Sequence, residues 1–104
     1  MHISVFEYGI QDVDDAEWAR RCEELAPAFA AAPGLVSKVW LKGDDGRYGG
    51  VYLWEDAAAY RAFLDSDLGR AVAAHPNIVG LTARDWAVDE APTRLTRGLT
   101  PVPS

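Results

Sequence analysis

The stretch KVWLKGDDGRYGGVYLWED, Lys38 to Asp56, carries two of the four tryptophans and two of the four tyrosines around the pair Gly49-Gly50. An amine among large flat rings is equipment for holding a planar organic anion: the cation balances the charge and the rings stack on the ligand. Lys38, Trp40, Tyr52 and Trp54 are the candidates here, with Gly50 leaving room beside them. Arg84 and Trp86 repeat the pairing near the end of the chain, and His75 adds an imidazole, the side chain suited to general-base work. On this reading Lys38, Arg84 and His75 do chemistry, while Trp40, Tyr52, Trp54, Trp86 and Gly50 shape the binding site. Each residue also has a structural role open to it. The tryptophans can fill a core or an interface, and Lys38 and Arg84 can pair with carboxylates across a sheet. Tyr52 suits any strand, and His75 can cap a helix end.

Positioning these groups requires strands, and the pattern supplies them. Residues 2–8 alternate as a first strand, 35–42 as a second, 48–55 as a third and 78–89 as a fourth. Gly43-Asp44-Asp45-Gly46 has the composition of a hairpin loop. Asp14 and Asp15 open a helix whose apolar stripe is Trp18, Cys22, Leu25 and Phe29. Pro27 is expected to kink that helix or end it early, and Pro33-Gly34 stops it. Asp56 caps a second helix with Tyr60, Phe63 and Leu64 on one face, and Ser66 to Gly69 break it before a short further turn. The order strand-helix-strand-strand-helix-strand predicts an α+β, ferredoxin-like βαββαβ domain over residues 1–90, with 91–104 as an arm or flexible tail. Each strand has an aliphatic side and a side mixing aromatics with Lys or Arg. Neither side reads as wetted, so a second copy of the sheet is the expected cover.

Composition narrows the classes. A net charge of −6, with acids spread along the chain, argues against nucleic acid. No run approaches the ~20 apolar residues of a membrane span, MHISVFEYG lacks the build of a signal peptide, and one cysteine forms no internal disulfide. The expected location is the cytoplasm. Two distant histidines and Cys22 make no metal set, GDDGRYGG opens no helix as a phosphate loop would, and no serine sits in a nucleophile elbow.

Pro33-Gly34-Leu35, Lys38-Val39-Trp40 and Gly49-Gly50-Val51-Tyr52-Leu53-Trp54 with Asp56 resemble the signature of the YdhR-like putative mono-oxygenases, and residues 82–92 resemble that family's closing strand. The family belongs to the dimeric α+β barrel superfamily, with the antibiotic-biosynthesis mono-oxygenases. The resemblance implies a homodimer of face-to-face sheets, with a pocket between sheet and helices in each subunit. It further implies oxygenation of a reactive aromatic or polyketide-type molecule, such as an anthrone or quinol, by O₂ and without a cofactor. Trp54-Glu55 matches a Trp-acid pair of the related oxygenases, whereas the asparagine those relatives carry four positions earlier is Gly50 here. Two other functions stay open: a non-oxidative cyclase or isomerase in the same pocket, and a non-catalytic small-molecule-binding or stress protein.

Overall fold

The computed structural model describes residues 1–99. Its elements are β1 (His2–Ile10), α1 (Asp15–Ala30), β2 (Leu35–Lys42), β3 (Arg47–Trp54), α2 (Ala57–Asp65), α3 (Asp67–Ala73), β4 (Ile78–Ala87) and α4 (Glu90–Leu95). The strands form one antiparallel sheet in the order β2-β3-β1-β4, the ferredoxin-like α+β arrangement.

Local chemistry sets the helix starts. The Asp14, Asp56 and Ser66 side chains accept from the backbone N–H groups of Glu17, Ala59 and Gly69, satisfying donors that the first helical turn leaves free. α1 continues through Pro27 to Ala30 instead of ending at it. At the start of the expected arm or tail, Glu90–Leu95 form α4, and 100–104 lie outside the described residues.

The buried alternation of β1 identifies the covered face of the sheet, since His2, Ser4, Phe6 and Tyr8 all lie under the helices. Phe6, Phe29, Tyr52, Trp54, Tyr60 and Phe63 form the core cluster there. Trp54 is wholly buried, and its indole N–H donates to Ser4 Oγ at 2.9 Å, which provides the partner a buried polar group requires. His2 stacks on Tyr60 and its Nε2 lies 2.6 Å from Asp85 Oδ2.

Register decides what the other strands present. Trp40 lies opposite Gly50 and Lys38 opposite Tyr52, so all four face the helices. An irregularity between Leu35 and Ser37 breaks the strict alternation of β2, and Leu35 joins the core side instead of pairing with Val39 and Leu41. In β4, Ala83 lies opposite Phe6 and Asp85 opposite Ser4; Arg84 and Trp86 therefore point to the other face, opposite Val5 and Ile3. That face is apolar and open, with Val39 56% and Trp86 46% exposed. Among the described residues no helix is long and apolar enough to cross a membrane.

Candidate functional site

Lys38 enters the covered side of the sheet from β2 and ends in a cage of rings. Its Nζ lies 3.3 Å from the ring centroids of both Phe29 and Trp40, and 4.6 Å from that of Tyr52. α1 provides Phe29 from the apolar stripe that also carries Trp18 and Cys22. No carboxylate pairs with Lys38 among the described residues. Burial lowers its pKa from 10.5 to about 7, opposed weakly by Cys22. Ring faces do attract an ammonium, but by only about 0.5–2 kcal/mol, and lost hydration outweighs them. Lys38 is therefore an amine that is divided between its neutral and charged forms near neutral pH.

Gly50 makes the cage possible. A Cβ on Gly50 would come within 3.0 Å of Tyr52 Cε1 and 3.2 Å of Lys38 Cε, so the missing side chain is the space those two groups use. Gly49 is more constrained: its Cβ would lie 2.2 Å from the Phe6 carbonyl oxygen, a backbone atom with no freedom to move aside.

A cavity of about 260 Å³ lies between α1 and the β2-β3 hairpin, lined by Tyr8, Trp18, Cys22, Trp40, Tyr48 and Gly49. A more enclosed recess of about 40 Å³ shares Tyr8, Trp18, Cys22, Trp40 and Gly49 with it and reaches Lys38, Gly50, Tyr52 and His75. Together they stand at the lower end of small-molecule cavities. The phenols and the thiol of the lining hold their protons. Burial pushes the Tyr8 phenol up to about 12 and raises those of Tyr52 and the Cys22 thiol. Tyr48 is also raised to about 12, chiefly because its hydroxyl donates to Asp15 Oδ1 at 2.5 Å. His75 comes from the turn after α3. Its Nδ1 accepts from the Asn77 backbone N–H, which leaves Nε2 as the protonated nitrogen of the neutral ring. Its ring meets Trp18 edge-on at 5.4 Å.

Of the residues singled out in the sequence, Lys38, Trp40, Gly50, Tyr52 and His75 thus come together at one recess. Trp54 is packed inside the core behind Tyr52 and lines neither cavity. Arg84 and Trp86 lie on the opposite face of the sheet, with the guanidinium 5.2 Å from the Trp86 ring. The mixed aromatic-cationic sides of β2 and β4 are alike in composition but project from opposite faces, because pairing with β3 sets the phase of β2 and pairing with β1 sets that of β4. Trp18 was legible only as part of a helical stripe. It is buried, and its Nε1 has no hydrogen-bond partner among the described residues, although Tyr8 packs edge-on 5.9 Å away. Among the described residues no three His, Cys, Asp or Glu side chains gather to hold a metal ion.

The fold is shared with several solved structures. A putative antibiotic biosynthesis monooxygenase from Deinococcus radiodurans superposes with a TM-score of 0.71 at 19% identity, covering 88% of this chain and 95% of that one. SnoaB from Streptomyces nogalater, a cofactor-independent oxygenase, gives 0.68 at 22% identity over 86% of this chain and 93% of its own. MhuD from Mycobacterium tuberculosis, a heme-degrader with two hemes bound in its active site, gives 0.68 at 22% identity over 86% and 96%. No curated protein matches the sequence. Residues 3–99 match the family described as "Putative mono-oxygenase ydhR", nearly the whole chain. The chain belongs to the ydhR family.

Proposed function

We propose that the protein is a cofactor-independent mono-oxygenase acting on an aromatic or polyketide-type substrate of the anthrone or quinol kind, with Lys38 as base and counter-ion. The observation that supports this reading is the uncompensated Lys38 amine at the end of an aromatic recess. Direct reaction of O₂ with an organic molecule needs an electron-rich anion, so the protein's task is to generate one and hold it dry. A neutral amine in this cage cannot hold an isolated charge cheaply, but it can take a proton from the substrate. Proton transfer then creates an ammonium and a carbanion or phenolate together, as a pair of no net charge. The anion gives one electron to O₂, the radical and superoxide join as a peroxide, and loss of water leaves a carbonyl. One oxygen atom enters the product and one leaves as water. Trp40 and Tyr52 would stack on the ring system.

The departure from the related oxygenases fits the same scheme. Where they carry an asparagine, Gly50 provides space, and the Lys38 Cε occupies the neighbourhood of the missing side chain. The polar group would thus be supplied from β2 across the hairpin.

Purified protein should consume O₂ with an anthrone in one-to-one stoichiometry with the carbonyl product. Turnover in anaerobic buffer would replace this reading with the cyclase or isomerase, binding without product would favour a carrier, and a Soret band would overturn the cofactor-free scheme. Gly50→Ala is expected to lower kcat/KM about tenfold while costing at most ~2 kcal/mol of stability, because the new methyl displaces Lys38 and Tyr52 by only a few tenths of an ångström. Parallel activity and urea-unfolding measurements check both halves.

The working unit we propose is a homodimer. The open sheet face carries Val39, Leu41, Val51, Leu53, Arg84 and Trp86, more apolar surface than a monomer ordinarily leaves to water. On this reading Arg84 and Trp86 belong to the interface.

A further inference from the structure

We propose that Lys38 is also a carbonyl-capturing residue: the recess takes flat aromatic or conjugated aldehydes and ketones and binds them covalently as an imine on Nζ. Two features of the geometry support this. The amine ends in a recess open to a larger apolar cavity, so a small flat molecule has a route to it. It is enclosed by the Phe29, Trp40 and Tyr52 rings without a carboxylate, so neither an ion pair nor a fixed hydrogen bond occupies its lone pair among the described residues.

The chemistry balances without any further reactant. The neutral nitrogen attacks the carbonyl carbon, forming the C–N bond of a carbinolamine. Its C–O bond then breaks, both amine hydrogens leave with the oxygen as water, and a neutral C=N bond remains. Desolvation favours the neutral reactant and the neutral product. It keeps the amine unprotonated, and condensation replaces two polar groups that need water with one that needs little. The lowered pKa of Lys38 supports the same conclusion. An ordinary exposed lysine, with a pKa near 10.4, is neutral in fewer than about one molecule in a thousand at pH 7.

This goes beyond the oxygenation reading, since it requires no O₂ and its readout is an adduct. The two inferences can fail separately. The chain contains two lysines, and the second, Lys42, is exposed at the end of β2 and serves as an internal control. The full chain is treated with 2-naphthaldehyde and cyanoborohydride at pH 7 in anaerobic buffer, and peptide mapping by mass spectrometry follows the reduced adduct. Lys38 is expected to label at least about tenfold faster than Lys42, with a pH dependence rising through about 7. Lys42→Arg should retain the adduct, and Lys38→Met, checked for folding by circular dichroism, should lose it. Equal labelling of the two lysines, faster labelling of Lys42, or no adduct at Lys38 would overturn the proposal.

Discussion

Lys38→Met is expected to lower kcat/KM for anthrone oxygenation by at least about a hundredfold, the range that a positioned general base and its counter-charge contribute. Methionine keeps the length and apolar bulk that fill the Phe29-Trp40-Tyr52 cage, so the loss reports the amine and not a collapsed pocket. Lys38→Arg tests the sign of the chemistry. Guanidinium stays protonated at working pH, so a substituent that only neutralises an anion would survive this change, whereas a base would not. Wild-type kcat/KM should rise with pH through about 7, as the amine loses its proton. A flat profile together with an active Lys38→Arg would remove Lys38 from proton transfer.

The same substitution has a stability signature of predictable direction. In the unfolded chain Lys38 titrates near 10.5, and in the folded protein near 7. Between those values the unfolded state binds more protons, so wild-type stability rises with pH across the window. Below pH 7 both states are protonated and the full cost of burying the charge is present; above about 10.5 it is gone. Lys38→Met removes that cost. It should therefore gain about 2 kcal/mol over wild type at pH 6, with solvent access to the recess keeping the figure well under its limit, and the gain should shrink towards zero by pH 10.5. Urea midpoints at the two pH values measure it. A site that is less stable with its working residue than without it is the ordinary signature of function placed against packing.

The elements themselves were legible because hydrophobic period, capping residues and turn chemistry agree: Asp14 and Asp56 mark helix starts, and GDDG joins the two strands that carry the site; Ser66 to Gly69, expected as a break, is a one-residue interruption at Ser66, which caps α3. Lys38, Trp40, Gly50 and Tyr52 were legible as one group because a short hairpin fixes their mutual register locally. His75 reaches them only through the packing of α3 and the following turn. Arg84 and Trp86 show where one-dimensional reasoning stops. Alternation separates the two sides of β4, but only long-range pairing with β1 says which side meets the helices.

Trp86→Glu is expected to split the proposed dimer, weakening association by at least about a thousandfold, or ~4 kcal/mol. A stable interface covers about 800 Å² of each partner, and the open face with Trp86 and Val39 among its most exposed residues is the apolar surface available for that. In a twofold interface one substitution introduces two carboxylates, each losing water without gaining a designed partner, and a buried unpaired charge costs several kcal/mol. Native mass spectrometry should give twice the 11.3 kDa chain mass for wild type and the single mass for the variant. A wild type that is monomeric at working concentration would refute the dimer outright. The variant also separates the two faces of the sheet, because β4 projects Trp86 away from the Lys38 cage. Undiminished turnover by a monomeric Trp86→Glu protein would mean that one subunit holds a complete pocket. Lost turnover with Lys38 labelling intact would mean that the partner's sheet is needed to stiffen β2 and β3 around it.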